Sequence, residues 1–153
     1  ARAVAYAALG LGPAAVVVAA RRVAQAEALV GALAPGPGVL RACALAEAPV
    51  AEAALVVNAT PAGMWPHDDA TPWPDARAFR PGQVVYDLVY RPRRTRLLRE
   101  AAARGATTID GLPMLLGQAA AAYRLWTGRP MPLGPAREAA LAALGDDARP
   151  RSR

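Results

Sequence analysis

Ala14-Ala15-Val16-Val17-Val18-Ala19-Ala20-Arg21-Arg22 is the stretch on which the fold turns. The uncharged, partly β-branched run Ala14–Ala19 has the composition of a strand buried on both faces. Two arginines close it, and residues 24–33 follow with Leu29, Val30 and Leu33 at helical spacing. Upstream, Val4, Ala7, Ala8 and Leu11 also repeat with a helical period, which Gly10-Leu11-Gly12-Pro13 brings to an end. Downstream, Pro35-Gly36-Pro37-Gly38 stops the second helix. Further short strands are expected at 39–43, 54–58, 83–88 and 106–109, and helices at 95–104, 113–126 and 135–144. Residues 49–53 read as a brief helical or irregular segment. Pro61, Pro66, Pro72 and Pro74 make 60–80 a loop, because proline can neither donate in a central strand nor continue a helix. Strand and helix alternate with short connections, the pattern of a parallel sheet wrapped by helices.

The chain of 153 residues fits one domain, expected over 1–145, with 146–153 as a frayed tail. The apolar content of 54% includes 40 alanines, so the core must be built from small side chains. All 18 basic residues are arginine; without lysine, amine chemistry is excluded and the net charge of +6 does not titrate at ordinary pH. One cysteine, Cys43, rules out an internal disulfide and is compatible with a reducing cytosol. The uncharged run from Ala3 to Ala20 approaches the length of a membrane span, but Gly10, Gly12 and Pro13 divide it into two soluble elements and a turn. The first residue is alanine, so the chain is either processed or a fragment.

Three further segments carry chemistry. In a doubly wound dinucleotide domain the end of the second strand selects the cofactor: an acid there binds the ribose 2′-hydroxyl, and arginine takes a 2′-phosphate. Arg21 and Arg22 occupy that place and no acid occurs before Glu27, so such a domain would prefer the phosphorylated nucleotide. On this segment alone, two arginines capping a solvated turn are an equal reading. Asn58-Ala59-Thr60-Pro61-Ala62-Gly63-Met64 combines an amide, a hydroxyl and a glycine-opened backbone that could meet a pyrophosphate or ribose, or form an ordinary turn. Val85-Tyr86-Asp87-Leu88-Val89-Tyr90 and Asp110-Gly111-Leu112-Pro113-Met114-Leu115-Leu116-Gly117-Gln118 complete the set.

Taken in order, these segments resemble the carboxyl-terminal, NADP-binding half of the shikimate dehydrogenase family. NATPAGM, YDLVYRPRRTRLL and IDGLPMLLGQAAAAYRLWTG carry the resemblance, which covers residues 1 to about 128. It implies a Rossmann-like α/β fold, a doubly wound parallel sheet truncated so that the first strand, the glycine-rich loop and the amino-terminal catalytic domain are missing. It places Arg21, Arg22, Asn58, Thr60, Gly63, Leu88 and Gly111 at the NADP cofactor and Tyr90 and Gln118 at the substrate. The family motif begins Asn-Arg-Thr where this chain has Ala20, Arg21 and Arg22, and Gln25 stands where arginine is frequent. Phosphate binding survives that comparison; the adenine contacts do not. The implied activity is NADPH-dependent reduction of 3-dehydroshikimate to shikimate in chorismate and aromatic amino acid biosynthesis. The family's catalytic lysine and aspartate belong to the other domain, so no catalytic residue is expected in this chain, which should be inactive alone.

Two alternatives accompany this reading: a quinate/shikimate dehydrogenase, often preferring NAD, and a non-catalytic nucleotide-binding remnant. In the latter, strands 14–19 and 55–58 would each lack a neighbour. The expected setting is cytoplasmic, with a small-molecule substrate, no membrane or nucleic-acid partner, and a monomeric or homodimeric state left open. His67, between proline and two aspartates, is expected to be solvated rather than to bind a metal. The basic stretch Arg91, Arg93, Arg94, Arg96 and Arg99 lacks aromatic interleaving beyond Tyr90 and reads as a solvated face, and Leu115, Leu116, Ala119, Tyr123 and Trp126 read as helical core.

Overall fold

The structure, a computed structural model, describes residues 1–33 and 38–145. The tail assigned to 146–153 and most of the Pro/Gly stop at 35–38 lie outside them. Two compact units are present, one over Ala1–Ala53 and one from Ala54 onward.

In the first unit, α1 (Arg2–Leu9), β1 (Val16–Ala20), α2 (Val23–Leu33) and β2 (Leu40–Ala44) follow one another. β1 and β2 pair in parallel from Val16 opposite Leu40 to Ala20 opposite Ala44. Both helices pack on β1, and α2 on β2 as well. Ala5, Ala26, Leu40 and Val50 form the buried set, so close packing rests largely on small side chains, as the composition requires. The expectation that β1 is buried on both faces is corrected: all five of its residues are half-buried, because among the described residues it pairs with β2 alone.

In the second unit, β3 (Leu55–Asn58), β4 (Val84–Asp87) and β5 (Thr107–Ile109) form a parallel sheet with β4 central. Leu55 stands opposite Val84 and Asn58 opposite Asp87. α3 (Arg96–Ala103) packs on β4 and β5, while α4 (Leu112–Thr127) and α5 (Leu133–Leu144) pack on each other. The core contains Phe79, Val85, Val89, Leu97, Leu98 and Ala101, each large apolar side chain contributing roughly 1.5–3 kcal/mol. Thr95 caps α3, its hydroxyl accepting from Leu98 N–H at 3.3 Å, and Gly128 closes α4 in the left-handed conformation. The parallel α/β class expected from the alternation is the class observed.

One packing expectation fails. The series Leu115, Leu116, Ala119, Tyr123 and Trp126 is not core: Leu115 and Leu116 are half-buried, Ala119 is exposed, and Trp126 is 84% exposed. Helical periodicity marks a face that is able to bury apolar surface, but among the described residues α5 covers only part of this one.

Candidate functional site

The second unit builds its site where β3 and β4 end. Asp87 is the last residue of β4, and the strand's two-residue period sends it to the same side as Val85 and Val89, both buried. A carboxylate there needs donors, and the chain supplies three. Asp87 Oδ1 accepts from Asn58 Nδ2 at 2.9 Å and from the Val89 N–H at 3.0 Å, while Oδ2 accepts from the Thr95 hydroxyl at 2.7 Å. Burial nonetheless dominates and raises the Asp87 pKa above the ordinary 3.8, with the bonds from Thr95, Val89 and Asn58 pulling the other way.

Asn58 passes this hold to the loop after β3. Its Oδ1 accepts from the backbone N–H of Thr60 at 2.9 Å and from the Thr60 hydroxyl at 2.7 Å, and its Nδ2 also donates to Ala62 O at 3.2 Å. The backbone donor at Thr60 fixes which end of the amide is oxygen. Asn58 is 4% exposed and its polar atoms are engaged internally, so it shapes the turn instead of presenting its amide to solvent. Gly63 is buried at φ +89°, and a Cβ there would lie 3.2 Å from Ala70 O; only glycine takes that conformation without strain.

Gly111 acts on the same wall from the other side. A Cβ at this position would fall 2.3 Å from Leu88 O and 2.7 Å from the carbonyl carbons of Leu88 and Val89. The bare Cα lets the entry to α4 press on the Leu88–Val89 peptide, and Gly111 N–H donates to the next carbonyl, Val89 O, at 3.1 Å. Asp110 steadies this entry, accepting from Leu112 N–H at 3.1 Å and from Arg93 Nη2 at 2.7 Å. Burial, followed by the charge of Asp110, raises the Tyr86 phenol, and a hydrogen bond to the Met114 backbone opposes the shift.

These walls border a half-open cavity of about 470 Å³ whose lining includes Thr60, Met64, Trp65, Leu88, Tyr90 and Leu144. Arg91 stacks over Trp65 with its guanidinium carbon 5.1 Å from a ring centroid, and the Trp65 backbone N–H donates to Arg91 O at 3.0 Å. Of the expected site residues, Thr60, Leu88 and Tyr90 line this cavity, with Asn58, Gly63 and Gly111 shaping its walls. Gln118 is exposed on α4 and is not among the lining residues. Asp87, Thr95 and Trp65 are site-forming residues that the sequence reading did not single out. An acid ending a β-branched run was the available signal for Asp87.

In the first unit, Arg21 and Arg22 are exposed directly after β1 and before the amino terminus of α2. Guanidinium groups and the unpaired N–H groups of a first helical turn both favour an anion. His67 is exposed, and among the described residues no group of three or more His, Cys, Asp or Glu side chains is placed to hold a metal ion. No described helix is long and apolar enough to cross a membrane. In the basic stretch, Arg96 pairs with Glu100 at 2.6 Å and Arg99 donates to Arg94 O at 2.6 Å.

A family model described as the shikimate 5′-dehydrogenase C-terminal domain matches residues 111–141, the α4–α5 region. The NADP-dependent shikimate dehydrogenase of Salinibacter ruber is 54% identical over 138 residues, 86% of this chain and 48% of that protein. This chain is a relative of the shikimate dehydrogenases. The chain thus spans about half the length of the curated relatives it matches. Among solved structures, shikimate 5-dehydrogenase from Thermus thermophilus with NADP(H) and shikimate is 43% identical, with a TM-score of 0.69 over 81% of this chain and 44% of that one. Quinate dehydrogenase from Corynebacterium glutamicum, in complex with NAD, is 35% identical with a TM-score of 0.79, covering 90% of this chain and 49% of that one. This chain shares its Rossmann-like α/β fold with these solved shikimate and quinate dehydrogenases, and the strand pairs described for it are all parallel.

Proposed function

We propose that this chain is the NADP-binding part of a shikimate dehydrogenase that reduces 3-dehydroshikimate to shikimate. The observation that carries the choice of cofactor is the guanidinium pair Arg21–Arg22 at the carboxyl end of β1, with no acid before Glu27. A carboxylate there would repel a 2′-phosphate; two fixed positive charges before a helix amino terminus attract it. In the other unit, Leu88 offers an apolar wall and Thr60 a hydroxyl-bearing loop at the strand ends where ligands of open α/β sheets bind. Taken separately, the arginines of the first unit fit a phosphate, and the cavity wall of the second unit fits an apolar ring with a polar edge.

When bound, that cofactor supplies the hydride for the ketone carbon. The residues of this chain bind and orient: Arg21 and Arg22 hold the 2′-phosphate, the 58–63 turn and Leu88 flank the nicotinamide end, and Tyr90 and Gln118 address the substrate. The resemblance assigns protonation of the developing alkoxide to a lysine and an aspartate of the family's other domain, and no lysine occurs in this chain. The neighbour with NAD and quinate chemistry favours a second reading, a quinate/shikimate dehydrogenase.

The deciding experiment is oxidation of shikimate and of quinate, each with NADP and with NAD, by the protein expressed from its complete reading frame. Turnover of shikimate with a strong NADP preference is the expected result. Equal use of the two nucleotides would overturn the role given to Arg21 and Arg22, and preference for quinate would establish the second reading.

A further inference from the structure

Asp87 is among the most enclosed polar residues described and lies outside the cavity lining, yet its bonds reach two segments that line the cavity and, behind them, the start of α3. Through Asn58 it fixes the turn at Thr60; through the Val89 N–H it fixes the Leu88–Val89 peptide; through Thr95 it fixes the start of α3. Leu88 N–H donates to Asn58 O at 3.0 Å, and Gly111 N–H to Val89 O at 3.1 Å, so the first two connections close on each other and on the α4 entry. A carboxylate in this place meets three donors with two oxygens, which an amide of the same shape cannot do, since one end of an amide must donate.

We infer that Asp87 is a positioning residue for the cofactor site, holding the Thr60 turn and the Leu88–Val89 wall at the separation that admits the nicotinamide end of the nucleotide. The inference deepens the reading given under Proposed function and rests on it for the identity of the ligand. Removing the carboxylate should act through the wall and not through the global fold. Asp87→Asn keeps one acceptor for Asn58 and Val89, loses charge assistance in both bonds, and turns its NH₂ toward the Thr95 hydroxyl, which can accept by rotating.

Two measurements on the protein expressed from its complete reading frame test this: hydrogen exchange of individual amides, and calorimetric titration with NADPH, each on the parent, Asp87→Asn and Asp87→Ala. The expected result for Asp87→Asn is exchange at Thr60 and Val89 faster by about tenfold, with the α3 interior amides unchanged, and an NADPH Kd raised about tenfold while Tm moves little. Asp87→Ala should exceed both effects; if it does not fold, Asp87→Asn alone decides. Unchanged exchange at Thr60 and Val89 overturns the positioning role, as does unchanged NADPH affinity. A fall in Tm with affinity retained assigns Asp87 to the fold instead and also overturns it. Should the parent bind neither NADPH nor NADH, the cofactor reading fails, and the exchange rates still decide whether Asp87 controls the wall.

Discussion

Substituting Gly111 by alanine tests the architecture of the site most directly. The residue has φ −75° and ψ −4°, ordinary right-handed geometry that alanine adopts freely, so backbone strain contributes nothing and the whole effect is steric. Ordinary contact begins at 3.4 Å, whereas the new Cβ would lie 2.3 Å from Leu88 O, so the two backbones must part by about 1 Å. The Leu88–Val89 segment resists, being held by Leu88 N–H to Asn58 O, Val89 N–H to Asp87 Oδ1 and Gly111 N–H to Val89 O. Forcing a methyl into a packed site costs about 1–3 kcal/mol, and a broken hydrogen bond adds about 1 kcal/mol, for a total near 2–4 kcal/mol. In a chain of this size that corresponds to a Tm lower by roughly 5–15 °C. Denaturant titration followed by circular dichroism measures the loss as a shift of midpoint at constant slope. Gly117→Ala is the matched control: a Cβ there meets nothing within 4 Å, so the helical preference of alanine should raise stability by up to about 1 kcal/mol. A Gly111→Ala midpoint within about 0.5 kcal/mol of the parent would refute the argument that this contact holds the wall.

Replacing Arg21 and Arg22 together by serine should weaken NADPH binding by about tenfold or more while leaving NADH binding unchanged, as calorimetry on both nucleotides would read. Thr95→Val removes the cap on α3 and one donor to a buried carboxylate, and should cost roughly 1.5–3 kcal/mol by denaturant titration. Because the folded pKa of Asp87 is raised by burial, the folded state holds its proton longer than the unfolded chain does. Its contribution to stability is therefore fully present below 3.8 and is lost as pH rises through the raised value, so Asp87→Asn should flatten that segment of a stability–pH profile. Gly63→Ala, which places a side chain at φ +89° and 3.2 Å from Ala70 O, should destabilise by more than about 1 kcal/mol in the same assay.

Local chemistry made the elements legible. The Val16–Val18 run and the Gly10-Leu11-Gly12-Pro13 stop each enforce a backbone choice on their own, and the element boundaries expected around them fall within two residues of those found. Burial was less legible because it depends on neighbours. β1 has the composition of a central strand but, among the described residues, one partner, and the apolar stripe of α4 runs on past Leu116 where little of the described chain covers it. The site followed the same rule. Arg21, Arg22 and the 58–63 turn are contiguous signals. The Asn58–Asp87–Thr95 connection joins residues 29 and 8 positions apart, and its longer arm forms only when β3 and β4 pair with Asn58 opposite Asp87. The steric need for glycine at 111 likewise exists only once Leu88 O stands against it.

Trp65 lines the cavity and is held in place by the Arg91 guanidinium, whereas Trp73 and Trp126 are not among its lining residues. Indole emits where a reduced dihydropyridine absorbs, so a molecule entering this cavity would drain its excitation by energy transfer. A version of the protein retaining this one indole would therefore register occupancy label-free, turning a wall residue into an optical gauge of the site it borders.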